Sequence, residues 1–164
     1  PLWFAATPEF DAALRARFPS TYRAAAADRL ADWETTAEGA LALVIVLDQF
    51  PLNLFRGQPE SFATEAAART VADRAITRGF DQTLPPVQRQ FLYLPFMHGE
   101  ALADQERSVR LHQQPSLEEG LRFARHHRGR IRRFGRFPHR NAILGRISTP
   151  EECAYLAAPG AFHG

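Results

Sequence analysis

Residues 35–51, TTAEGALALVIVLDQFP, leave a folding chain few options. Thr35 with Glu38 reads as a capping box that starts a helix. The body that follows, LALVIVL, is apolar on every side and has no face to offer to water. The β-branched run Val44-Ile45-Val46 would also suit a buried strand, but no other segment makes a convincing partner strand. A helix that is apolar all round belongs at the centre of an α domain. Asp48 stands at its far end. A lone buried charge is costly, so a carboxylate there is expected to be paired, the alternative being a solvated helix end.

The rest of the chain is punctuated by helix signals. Thr7-Pro8-Glu9 combines a hydroxyl cap, a proline at the first helical position and an acid in the first turn. It predicts a helix to about residue 18 with Phe10, Leu14 and Phe18 on one stripe. A short Ala-rich helix is expected over residues 21–30. Residues 50–58 read as a loop holding Arg56, and Pro59-Glu60 as the opening of a long helix to Arg78, closed by Gly79. Pro85-Pro86 open another, with a kink or break expected at Pro95. A helix over residues 101–113 and one from a second capping box, Ser116 with Glu119, to Phe134 follow. Gly135 stops the latter, and Phe123, Ala124, Ile131 and Phe134 should share its buried face. Thr149-Pro150-Glu151-Glu152 opens the last helix, and the tail from Pro159 is expected to be loose. The sum is an all-α chain of about seven helices joined in antiparallel pairs, a compact bundle or a short solenoid. Its 164 residues suit one domain over 1–164. No 34-residue repeat supports the solenoid.

Charge is distributed unevenly. Residues 121–146 hold nine of the twenty basic residues and three of the six histidines, with no acid between Glu119 and Glu151. A solvated helix mixes signs, because like charges repel. This stretch needs acids from elsewhere in the chain or an anion from outside. Every basic residue is Arg, so there is no lysine for a Schiff base, and each cation is a planar fork suited to carboxylate or phosphate. One cysteine, Cys153, excludes an internal disulfide and a Cys-based zinc site. The longest apolar run, residues 40–47, is too short to cross a bilayer, and there is no signal-peptide pattern, so a cytoplasmic location without membrane attachment is expected. The net charge of +2 and the lack of a recognised module argue against nucleic acid. No Gly-rich phosphate loop or serine elbow is found.

Three places carry candidate chemistry. His98 and Glu100 could be a general acid/base with its orienting carboxylate. Equally, His98 could cap helix carbonyls while Glu100 starts the next helix. No metal is expected, because His-x-Glu lacks a third ligand at a telling spacing, and no cofactor is implied. His127 lies on the apolar face of its helix, either as a satisfied core histidine or aimed into a polar pocket. Residues 136–141, Arg-Phe-Pro-His-Arg-Asn, are the densest polar set. Arg136, His139, Arg140 and Asn141 on a loop pinned by Phe134 and Phe137 could receive a carboxylate or phosphate. They could instead stitch helix ends together through Asp48, Glu100 or other acids.

The segments LALVIVLDQFPLNLFRG, QFLYLPFMHGEALADQERSV and IRRFGRFPHRNAILGRISTPEE resemble a bacterial family, domain of unknown function 924, over nearly the whole chain from Trp3. The resemblance implies an all-helical fold similar to the tetratricopeptide-like superhelices, and no established reaction. Its motif residues match at Asp48, Gln49, Arg56, His98, Glu100, Gln105, Arg136, His139, Arg140 and Asn141. The chain departs at Leu52, where the family usually has Arg, and at Gly99, where it usually has Ser.

These readings lead first to a helical protein with an Arg- and His-lined pocket for a small anionic ligand. That pocket would be formed by Asp48, Gln49, Arg56, Gln105, His127, Arg136, Arg140 and Asn141. The second reading is an enzyme using the pocket, with His98 or His139 as acid/base and Glu100 beside it. The third is a helical scaffold gripping an acidic peptide. The sequence does not decide the oligomeric state.

Overall fold

Helix α3, Ala37–Leu54, lies at the centre of the larger of two cores. A computed structural model describes residues 7–161, and every regular element in them is helical. Val44 is fully buried and Ala40, Leu43, Val46 and Leu47 nearly so. Helices α1 (Pro8–Arg17) and α2 (Pro19–Ala26) cover α3 from one side with Leu14, Tyr22 and Ala25. Helix α4 (Glu65–Thr77) covers it with Ala68, Val71, Ala72 and Ala75, and α6 (Pro86–His98), reached through the single turn α5 (Phe80–Thr83), with Leu92, Tyr93 and Phe96. Each such large side chain removed from water contributes about 1.5–3 kcal/mol. The opposite face of α6 presents Leu94 and Met97 to a second, smaller core with Val109 of α7 (Leu102–His112) and Ala124 of α8 (Glu118–Phe134). Helix α6 is therefore the shared wall of two cores, and its last residue, His98, emerges at their junction. Helix α9 (Pro150–Ala157) closes the described chain.

Several expectations shift in detail. Helix α3 runs through Pro51 to Leu54, where a loop was expected from residue 50. Pro51 cannot donate to the carbonyl of Leu47, one turn back. Thr64 does so instead, its hydroxyl donating to that oxygen at 2.5 Å. The expected long helix from Pro59 is a 3₁₀ turn, Pro59–Phe62, followed by α4, which places Glu65 at a helix start. Helix α6 continues past Pro95. The cap of α3 is Thr36, which accepts from the Gly39 amide, and α8 starts after Leu117 with no side-chain cap. The box at Thr149 and Glu152 is complete. Phe123 points outward, 42% exposed, because the buried arc of α8 is centred on Ala124 and Ile131. The described residues hold nine α-helices rather than seven, the extra ones being short.

By length and hydropathy α3 could cross a membrane, contrary to what its eight-residue apolar run suggested. Of this stretch 72% is buried inside the protein, which marks it as a core helix.

Candidate functional site

The C-terminus of α6 carries His98 to the side of α3 that bears Asp48. The imidazole Nδ1 lies 2.9 Å from Asp48 Oδ1, with the aspartate side chain 1% and the histidine side chain 18% exposed. Gln49 donates Nε2 to the other oxygen, Asp48 Oδ2, at 2.7 Å. Asp48 therefore accepts from both neighbours and holds the proton of His98 on Nδ1. Nε2 is left as the nitrogen that can exchange a proton. Burial alone would lower the pKa of His98, but the charge of Asp48 and its hydrogen bond outweigh this and, with Glu65, raise it above the ordinary 6.5.

Glu65, at the start of α4, supplies the second acid. Its oxygens meet Arg140, with Nη2 at 2.9 Å from Oε1 and Nη1 donating to Oε2 at 3.2 Å. Arg140 sits in a 3₁₀ turn, Pro138–Arg140, that Gly135 makes reachable by ending α8 in the left-handed region at φ 71°. Its guanidinium is sandwiched between the rings of Phe62 and Phe137, 4.4 and 4.9 Å from their centroids, an arrangement that suits a desolvated Arg. Burial raises the pKa of Glu65, opposed by Arg140 and His98. Asp48, Glu65, His98 and Arg140 thus form one electrostatic unit, neutral when His98 is protonated.

Around this unit the loop is stitched. Glu100 accepts from the Phe137 amide at 2.8 Å and from both Nη atoms of Arg146 at 2.7 and 3.0 Å. Burial would raise its pKa, yet the bonds from Arg146 and Phe137 lower it. Arg136 is engaged fork to fork with Glu152, both bonds at 2.7 Å. Its bond, ahead of the Thr149 amide, pulls the carboxyl to about 2. Asn141 bridges Ser148, Glu152 and Arg146. His139 is held neutral to about 4, by burial first and then by Arg140 and Arg130. His127 bonds the Phe123 carbonyl through Nδ1 at 2.9 Å and stands edge-on to Phe137; burial takes it to about 3. Between receptor and stitching, which the sequence left level, the geometry of Arg136 and Arg140 favours stitching.

The structure therefore brings Asp48, Gln49, His98 and Arg140 together, with His127 and His139 ringed around Phe137 beside them. Gln105 lies behind His98 and bonds only backbone. Arg56 is elsewhere, bonded to Asp11 of α1 and to Asn53. Two acids were not expected as partners of the loop arginines, Glu65 and Glu152, each sixteen or more residues from its arginine. The signal for Glu65 was Thr64 before it, a helix start hidden inside an expected longer helix. Arg69, one turn on from Glu65, pairs with Asp104 of α7 at 3.2 Å. A side-chain carbon at Gly99 would come 2.6 Å from Asp104 Oδ2, so the glycine there accommodates that aspartate. Leu52 is half-buried one turn beyond Asp48.

A family model described as a bacterial protein of unknown function, DUF924, matches residues 1–160. A solved structure of a protein of unknown function from Agrobacterium tumefaciens, ATU0120, is similar at 47% identity with a TM-score of 0.91, covering 94% of this chain and 88% of that one. No curated protein matches.

Proposed function

The chain belongs to the DUF924 family of bacterial proteins, and from its own geometry we propose that it is an acid–base enzyme acting on a small anionic ligand at His98. One observation carries the reading: the 2.9 Å bond from His98 Nδ1 to a buried carboxylate. A histidine so oriented presents one defined nitrogen, Nε2, for proton transfer, and the Asp48 carboxylate favours its protonated form, so it can act as a general acid. Asp48 fixes the tautomer and stabilises the imidazolium. Glu65 and Arg140 beside it form a pair that carries no net charge, so protonation of the ring neutralises the buried charge of Asp48.

An anionic ligand suits this setting because the imidazolium donates through Nε2. The forks of Arg136 and Arg140 are committed to Glu152 and Glu65, so the ligand is received by the histidine and not by the loop. The exposed part of His98 is the point of contact.

The test is thermal shift with phosphate, sulfate and small di- and tricarboxylates on the parent and on His98→Gln. A ligand that binds only the folded state raises the melting temperature. The rise should be larger below the pKa of His98 than above it, and absent in the variant. A rise that persists in His98→Gln places the ligand elsewhere and refutes the reading. So does a parent that binds none of these anions while its His98 titrates below 6.5.

A further inference from the structure

We infer that Gln105 is a positioning residue for His98: its buried carboxamide brackets the backbone on both sides of the histidine and thereby holds the imidazole against Asp48. This rests on the acid–base reading of His98. The last carbonyls of a helix have no partner within it. Helix α6 ends at His98, and Gly99 leaves in an extended conformation, so the oxygens of Met97 and Gly99 face inward without an amide to meet them. Gln105 Nε2 donates to both, at 2.7 Å to Met97 and 2.6 Å to Gly99. One nitrogen with two hydrogens thus ties together the carbonyls of the residues before and after His98.

The bracket stands on a rigid base. Gln105 is 0% exposed on α7. The turn between α6 and α7 is tied to the same helix turn, because the amides of Asp104 and Gln105 both donate to the Ala101 carbonyl, at 3.0 and 3.2 Å. The Asp104 carboxylate lies against Gly99 with no room for a side-chain carbon between them. The backbone of His98 is therefore fixed from α7 while its ring is fixed from α3. Without the bracket, two buried carbonyls would turn to find other donors, and a shift of about 1 Å takes a 2.9 Å bond outside hydrogen-bond range. Gln105 touches no reacting atom in this scheme. Its role is exerted through the place it gives His98.

The experiment is an NMR titration of the His98 ring in the full chain, compared across the parent, Asp48→Asn, Gln105→Met and Val109→Ala. Methionine keeps the length of glutamine and removes the donor. Val109→Ala is a destabilising control on the same helix, in the smaller core, whose apolar side chain can make no hydrogen bond to either carbonyl. The expected result is a parent pKa above 6.5 that falls by about one unit or more in both Asp48→Asn and Gln105→Met, while Val109→Ala lowers the melting temperature and leaves the pKa in place. The inference is overturned if Gln105→Met titrates like the parent, or if Val109→Ala moves the pKa as far. If Asp48→Asn fails to lower it, the acid–base reading itself falls and takes the bracket with it. If only Gln105→Met fails to move it, the bracket falls alone. Should the methionine variant not fold, the parent decides: the Gln105 carboxamide resonances must shift with the pKa of His98, and carboxamide signals that do not follow it overturn the inference.

Discussion

The hydroxyl of Thr64 donates to the carbonyl of Leu47 at 2.5 Å, taking the acceptor that Pro51 leaves unused one turn later in α3. The bond ties the start of α4 to the central helix just where Asp48 and Glu65 must face each other. It is thus a determinant of the site as well as of the fold.

Thr64→Val keeps the shape and removes the donor. An orphaned buried acceptor costs about 1–3 kcal/mol, so chemical denaturation should show a loss of that order. Pro51→Ala restores a backbone amide to the turn. In the double variant the valine should cost much less, because the new amide can satisfy Leu47. A double-mutant cycle with no coupling would show that the two groups do not compete for that oxygen.

Glu152 receives Arg136, Asn141 and the Thr149 amide while 2% exposed. Glu152→Gln should destabilise the protein by about 2 kcal/mol, the usual range for hydrogen bonds to a charged group. Its folded pKa of about 2 lies below the ordinary 4.5, so its contribution is present above pH 4.5 and is lost as the pH falls towards 2. Melting curves of parent and variant should therefore converge in strong acid. Curves that stay parallel from pH 6 to 2 would contradict the assignment.

His139 acts in the same direction at a higher pH. Its folded pKa of about 4 lies below the unfolded 6.5, so the fold prefers the neutral ring and loses stability as the pH falls from 6.5 to 4. The full effect is on the order of 3 kcal/mol for a shift of this size. His139→Gln should flatten the dependence of melting temperature on pH in that window. An unchanged slope would place the acid sensitivity elsewhere, with His127 as the next candidate because burial takes it to about 3.

Gly99 and Asp104 make a steric prediction. In Gly99→Ser the new carbon meets Asp104 Oδ2 at 2.6 Å, so Asp104 must swing away and release Arg69. Overpacking of this kind costs about 1–3 kcal/mol. Shortening the obstacle in Gly99→Ser with Asp104→Ala should recover most of it in a thermal melt. No recovery would mean that the serine clashes with backbone instead.

The central helix, the helix starts at Thr7 and Thr149 and the all-α class were legible because each is a local pattern: a cap within three residues, or a period of 3.6. The pairing of Asp48 was also foreseeable, since a carboxylate on an apolar helix has to find a donor. Its partner was not. Nothing within fifty residues of sequence marks His98 as that donor. The same holds for the loop at residues 136–141. Its cations demanded counter-charges, and the sequence offered Asp48 and Glu100 as candidates, whereas Glu65 and Glu152 take Arg140 and Arg136.

Local composition by itself determined that this chain makes helices, that α3 lies inside and that an acid-free cationic stretch must be neutralised. Tertiary structure alone decided which acid neutralises which arginine and which histidine meets Asp48. Helix formation depends on neighbours within one turn, whereas an ion pair depends on where helix ends meet in space, and that is set by how α3, α4, α6 and the turn at Pro138–Arg140 pack.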